Sequence, residues 1–258
     1  MKLKAFIFLL LFLPTLSYAE ERDRPTLSLT PSLNGGMMGV KYAFYSPLVY
    51  NGPLVGISLC FSASSTNAVF FSDIDASYCW LGNMYHKDLS TMLDRRLDFS
   101  FGGLVGVYSN SMFSMKVGGA LGFMRNDLFT RAFELGQQEC FCFYTLDYDA
   151  KMCLSAEWKL PRRWSVKMED RIPFIAFLSP TNMWGIVYSS DYSFNAFPGN
   201  DLRVGVCWTL NHGNCLMLSL RHYCFSSGKV IPDRLQLQFL ELGIAFRFGL
   251  TKHFDYEL

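Results

Sequence analysis

Apolar and polar residues alternate along most of this chain. From Asp147 to Leu160 the even positions are Tyr148, Ala150, Met152, Leu154, Ala156, Trp158 and Leu160. The odd positions are Asp147, Asp149, Lys151, Cys153, Ser155, Glu157 and Lys159. Successive side chains of a strand point to opposite faces, so this segment predicts a strand with one apolar and one charged face. Leu202–Leu210, Leu216–Leu220 and Leu240–Leu250 repeat the pattern near the C-terminus, and Phe113–Phe123 repeats it upstream.

A soluble sandwich alternates too. Two features favour a membrane barrel. The runs extend for ten to fifteen residues, whereas ordinary strands hold about 5–6 and a tilted membrane strand needs about 9–11. The polar face also mixes Gly, Ser and Ala with its charges, as a crowded lumen would, while the apolar face is large and aromatic, as lipid contact would select. Connections agree. Pro161-Arg162-Arg163, Asn211-His212-Gly213 and Ser109-Asn110-Ser111 are three-residue turns that keep the apolar sets on one side. The reading is an all-β, single up-and-down antiparallel transmembrane barrel of ten strands. They are expected near 37–46, 53–63, 69–82, 95–108, 112–124, 146–160, 163–172, 201–210, 214–224 and 237–250. Twelve is the alternative, if Cys140–Leu146 and Met183–Tyr188 add two more. The short turns, at 64–67, 109–111, 161–163 and 211–213, then face the periplasm. The long connections, about 83–94, 125–145, 173–200 and 225–236, face outward.

The N-terminus adds an address. Lys2 and Lys4 precede the apolar run Ala5–Leu13, Pro14 breaks it, and Ser17-Tyr18-Ala19 is a small-x-small cleavage site. Residues 1–19 are therefore expected to be a secretory signal peptide. A periplasmic segment over 20–36, the barrel over 37–250 and a tail over 251–258 would follow. No later apolar run is long enough for a membrane helix, which needs about 20 residues. The expected location is the outer membrane of a Gram-negative bacterium, with its lipids and the barrel-assembly machinery as partners. Trp158, Trp164 and Trp208 flank predicted periplasmic turns and point outward, as an interfacial aromatic girdle; core tryptophans of a sandwich are the other reading. Net charge is +1, so nothing argues for nucleic acid.

The segment Tyr42-Ala43-Phe44-Tyr45-Ser46-Pro47-Leu48-Val49-Tyr50-Asn51-Gly52 resembles an uncharacterised family of outer-membrane barrels from Bacteroidetes-type bacteria. Asp201-Leu202-Arg203-Val204-Gly205 and Leu242-Gly243-Ile244-Ala245-Phe246 resemble two of its later strands, and Leu97–Tyr108 fits loosely. The resemblance implies a signal peptide, a barrel and the outer membrane. It implies no activity. The chain departs from many such barrels in trailing Thr251–Leu258 after its last strand and in carrying eight cysteines.

Candidate chemistry sits on the polar face. The lumen is expected to receive Lys116, Asp147, Asp149, Lys151, Glu157, Arg203, Arg221, Glu241 and Arg247. It is also expected to receive Lys41, Asp73, Asp75, Asp98, Lys159, Lys167, Glu169 and Arg171. In a narrow barrel mixed charges pair across strands and fill the lumen; a solute path is the alternative. The carboxylate pairs Asp73/Asp75 and Asp147/Asp149 could hold calcium or do acid–base work, but neighbouring Lys and Arg make ion pairing the better reading. Of the cysteines, Cys140 and Cys142 form a CxC; small strand residues, disulfides and a metal site all remain open. No cofactor motif is present, since the Gly102-Gly103 and Gly118-Gly119 pairs lie mid-strand. Whether the chain is an enzyme is left open by the residues, which lean against it: no catalytic or metal-ligating set stands out. The rivals are a lipid-acting, phospholipase-like enzyme with His222 near Ser226 and Ser227, and a soluble exported β-sandwich. The aromatics of 173–200 (Phe174, Phe177, Trp184, Tyr188, Tyr192, Phe194, Phe197), with 125–145, are candidates for an extracellular ligand. The functional expectation is a structural, binding or narrow-channel barrel.

Overall fold

Long alternating runs become long strands. The computed structural model describes residues 26–42, 49–65, 67–82, 91–131, 140–182, 193–210, 214–226 and 235–250. In chain order these form β1 (Thr26–Tyr42), β2 (Val49–Ser64), β3 (Ala68–Leu81), β4 (Thr91–Ser109), β5 (Phe113–Arg131) and β6 (Cys140–Lys159). After them come β7 (Trp164–Asn182), β8 (Ser193–Ala196), β9 (Gly199–Thr209), β10 (Cys215–Ser226) and β11 (Leu235–Gly249). The pieces β8 and β9 are one stave. Both pair with β7, β8 opposite Ile175–Leu178 and β9 opposite Trp164–Arg171. Phe197, at φ 51°, interrupts the ladder between them. Each stave is antiparallel to its neighbours, β1 pairs with β11, and β6 pairs with β7. The result is a closed ten-stave antiparallel barrel.

Register fixes the shape of that barrel. One row of partners runs Lys116, Ser155, Glu169, Arg203, Arg221, Glu241, Gly36, Leu54, Cys79 and Asp94, then meets β5 again at Leu128. The row therefore returns twelve residues further along the same strand. Closure with a stagger of this kind tilts the strands by about 35–45° to the axis. On the outer face of β6, Trp158 and Tyr148 stand ten residues apart. At about 3.3 Å per residue and that tilt, they bracket roughly 25 Å of height, the size of an apolar belt in a membrane barrel.

Outer faces are apolar over most of this band: Leu33, Ile57, Ile74, Phe99, Met152, Leu218 and Ile244 are all exposed, while Asp170, between Leu154 and Leu202, puts a carboxyl on the same face. Turn hydrogen bonds hold the parity. Leu160 N–H donates to Trp164 O at 2.8 Å and Leu210 N–H to Asn214 O at 2.8 Å. Asn110 Oδ1 accepts from the backbone N–H groups of Met112 and Phe113 at 2.9 and 2.6 Å. The Pro161–Arg163 turn closes with Arg162 and Arg163 at φ 62° and 70°. Close approach of neighbouring strands demands glycine at several positions, Gly52 and Gly118 among them. A Cβ at Gly52 would run into the carbonyl of Trp80, and one at Gly118 into the carbonyl of Gly103.

Three expectations change. First, β1 begins at Thr26, so most of 20–36 is strand and not a periplasmic lead-in. Leu27, Leu29, Pro31 and Leu33 alternate there with Ser28, Thr30, Ser32 and Asn34. Second, Cys140–Leu146 is the upper part of β6 rather than an eleventh stave, while Met183–Tyr188 lies outside the described residues. Third, the long connections are shorter than expected. β5 runs on to Arg131, β7 runs on to Asn182, and β8 occupies part of 173–200.

A charge on the outer face distinguishes membrane from water. Leu242 points outward and is 61% exposed. In water such a site tolerates Leu242→Arg within about 0.5 kcal/mol. In a bilayer we expect a loss of about 2–4 kcal/mol, read as a lower guanidinium midpoint in lipid vesicles; an unchanged midpoint overturns the lipid-facing assignment.

Candidate functional site

The alternation that exposes leucines outside drives charges inside. β3 places Asp73 and Asp75 in the interior, β4 Asp94, Arg96 and Asp98, and β6 Asp147, Asp149 and Lys151, all buried. β7 adds Glu169 and Arg171, β9 adds Asp201, β10 adds Arg221 and β11 adds Glu241. Closing the sheet brings residues far apart in sequence across the lumen. Arg221 Nε donates to Asp201 Oδ1 at 2.8 Å, Nη1 to Asp75 Oδ2 at 3.0 Å and Nη2 to Asp98 Oδ2 at 3.3 Å. Glu241 Oε2 lies 3.9 Å from the same guanidinium. Arg171 bridges Asp73 and Glu169, each at 2.6 Å, and donates to Ser100 Oγ at 3.0 Å. Arg203 reaches Asp201 at 3.0 Å, Asp73 at 3.5 Å and Asp75 at 3.6 Å. Arg96 pairs with Glu241 at 3.1 Å, and Lys151 with Asp149 at 3.2 Å. The arginines suit this role because one planar guanidinium serves several carboxylates at once.

Above this belt, toward the long-connection end, the interior turns apolar. Met38, Val40, Leu54, Leu81, Tyr223, Phe225, Leu237 and Phe239 form one buried cluster. Tyr223 and Phe239 stack with centroids 4.8 Å apart, and the Tyr223 hydroxyl donates to Met124 Sδ at 3.8 Å. The Arg96 guanidinium lies 3.9 Å above the Phe239 ring and that of Arg221 lies 5.2 Å away. Cation–π contact thus couples the apolar plug to the charged belt.

Below the belt, toward the short turns, lies a cavity of about 330 Å³. One wall is hydroxylic. Ser28 and Ser62 hydrogen-bond at 2.7 Å, Thr26 and Ser64 at 2.7 Å, and Ser32 meets Ser58. The opposite wall carries Lys116, Glu157, Lys167 and Glu169, with Arg203 and Arg247 further round. Lys167 pairs with Glu169 at 2.9 Å. The cavity ends at the belt, where Asp73, Asp75, Arg171, Arg221 and Glu241 form its far wall.

Asp147, Asp149, Lys151, Arg221 and Glu241 thus lie buried, while Lys116, Glu157, Arg203 and Arg247 line the cavity. The interior also holds Asp94, Arg96, Asn126 and Asp201, which sequence reasoning missed. Arg96 shares the parity of Asp98 and was legible; Asp94 and Asp201 sat at assumed strand ends. Lys41 is on the outer face instead, beside Val49. Trp158, Trp164 and Trp208 point outward at the turn end. Trp164 and Trp208 stack at 5.9 Å, and Trp158 meets Phe113 at 5.0 Å. His222 faces outward and hydrogen-bonds Gln238 at 3.1 Å. Ser226 stands four residues along the strand, about 13 Å away, so β10 does not bring it to the imidazole. The side chains of Cys140 and Cys142, and Trp184, Tyr188, Tyr192 and Ser227, lie outside the described residues. Among the described residues no group of three or more His, Cys, Asp and Glu forms a metal centre.

No protein-family model matches the chain, and no curated protein matches it. Solved structures do. The translocator domain of autotransporter NalP from Neisseria meningitidis aligns at a TM-score of 0.49 and 8% identity, over 95% of this chain and 96% of that one. Ail, the attachment invasion locus protein of Yersinia pestis, aligns at 0.38 and 11%, over 86% and 98%. The outer membrane protease OmpT from Escherichia coli aligns at 0.53 and 7%, over 89% of this chain and 98% of that one. At such identity the likeness is one of fold: this chain has the β-barrel fold of an outer-membrane protein.

Proposed function

We propose that this protein is an outer-membrane barrel of a Gram-negative bacterium that binds a small polar ligand from the periplasmic side and conducts nothing through its lumen. The observation that carries the reading is the interior itself. A cavity lined by hydroxyls and charged groups, with Val69, Phe71 and Leu104 as an apolar patch, faces the short-turn end, and a belt of ion pairs and an apolar plug stand between it and the other end. A hydroxylic wall opposite cationic groups suits an anionic or polyhydroxylated molecule. Export through residues 1–19, assembly by the barrel machinery and contact with outer-membrane lipids belong to the same proposal, as does membership of the Bacteroidetes-type family on the residues quoted above. An extracellular ligand would fall to the long-connection end of β5 to β9.

The test is planar-bilayer recording of protein extracted from outer membranes, chosen by its heat-dependent shift on gels. We expect a heat-modifiable outer-membrane protein that shows no unitary current steps. Discrete steps would restore the narrow-channel reading, and a soluble periplasmic protein without a heat shift would remove the barrel from the membrane.

A further inference from the structure

β9 and β10 run antiparallel through the 210–214 turn, and their inward faces place three sulfurs together. Cys207 stands directly opposite Met217. Cys215 precedes Met217 by two residues on the same face, opposite Thr209 on one side and Arg247 on the other. Cys207 and Cys215 are thus diagonal neighbours across the β9–β10 ladder, and the Cys215 thiol donates to the Leu216 carbonyl at 3.4 Å. Both cysteines are buried, and they line the cavity with Met217. Gly205, the next inward residue of β9, leaves the thioether room: a Cβ there would lie 3.2 Å from Met217 Sδ. None of this was read from the sequence, where the two cysteines were eight residues apart in separate runs.

We propose that Cys207, Cys215 and Met217 form a binding site for a soft monovalent d10 cation, copper(I) in particular. Two thiols and a thioether are soft ligands, and this set selects copper(I) over hard cations. Zinc in a closed site takes four N, S or O ligands, and no imidazole or carboxylate completes such a set among the described residues. Binding replaces the two S–H bonds by two Cu–S bonds and releases two protons, with no change of oxidation state. The resulting bis-thiolate centre carries one negative charge, which the adjacent Arg247 guanidinium offsets. Access comes through the cavity mouth. The site rests on the proposed function only for that access, because a barrel that also conducted ions would keep the same three sulfurs.

The experiment uses the full chain, folded in detergent, reduced and then freed of reductant without oxygen. Copper(I) is titrated in competition with bicinchoninate. One equivalent per chain is expected to be held. Cys207→Ser and Cys215→Ser should each weaken it more than about a hundredfold, beyond the ~10–100-fold that changes around a site's ligands cost. Met217→Leu should weaken it by about tenfold. Copper X-ray absorption should show sulfur neighbours. Retention of the heat-modifiable band in each variant separates loss of the site from loss of the fold. Equal copper retention in the Cys207→Ser/Cys215→Ser double variant overturns the proposal by assigning the metal to other cysteines. A Cys207–Cys215 disulfide mapped by mass spectrometry in protein taken directly from membranes overturns it too.

Discussion

Arg221→Met is expected to cost the barrel about 3–5 kcal/mol, the loss that follows when one partner of a buried ion pair is removed. The cost comes from the acids left behind. Arg203 still reaches Asp75 and Asp201, and Arg96 still reaches Glu241. Asp98 is the worst placed: Lys151 and Arg96 leave positive charge nearby, but the hydrogen bond to its Oδ2 comes from Arg221, and its Oδ1 already lacks a hydrogen-bond partner. Against a total stability of about 5–15 kcal/mol, the variant loses a large share. The guanidinium midpoint in micelles should fall, and so should the temperature at which the folded gel band disappears. A second change isolates the mechanism. Arg221→Met/Asp98→Asn removes the stranded charge with its partner and should recover part of the loss, since the penalty lies in the unpaired acid and not in the missing bond. An Arg221→Met protein as stable as the parent would show that the belt is hydrated rather than dry.

The legible part of this molecule is the half nearer the turns. There the two faces differ in chemistry, so Leu154 against Ser155, or Leu218 against Ser219, announces both strand and side. The same contrast places Asp147, Asp149, Lys151, Arg221 and Glu241 together on the inward parity. At the other end the interior is apolar as well. Met38 and Val40 face in while Met37 faces out, and Phe239 faces in while Leu240 faces out. Alternation carries no information where both faces are hydrophobic, so the side on which Lys41 stands is not legible there. β1 was missed at its start for another reason. Its Leu-Ser-Leu-Thr alternation is plain, but Pro31 and the Asn34-Gly35-Gly36 run read as turn residues. In this barrel they sit inside a ladder whose partners are Leu59 and the Leu54–Gly56 stretch of β2. Which carboxylate meets which guanidinium was not legible, because Arg221 and Asp75 are 146 residues apart and meet only through barrel closure. The belt's chemistry is a property of faces; its pairing is a property of the staggered register.

Belt and plug support one another, and Phe239 is where they touch. Its ring is 1% exposed, stacks on Tyr223 and lies under the Arg96 guanidinium. Phe239→Ala removes a buried aromatic from a packed interior, and a loss of about 3–5 kcal/mol is expected in the same unfolding assay. Phe239→Leu keeps much of the volume and should cost less. The decisive comparison is electrical. With the ring gone, Arg221 still spans from β10 to Asp75 on β3 and Asp98 on β4, so the belt still bridges the lumen. Phe239→Ala is therefore expected to be less stable yet silent in a planar bilayer. Current steps in this variant would make the plug, rather than the ion pairs, the barrier, and the belt would then be a layer that water and ions pass. Silence together with lower stability assigns the two layers different tasks: the aromatic layer keeps the arginines dry, and the dry arginines close the barrel.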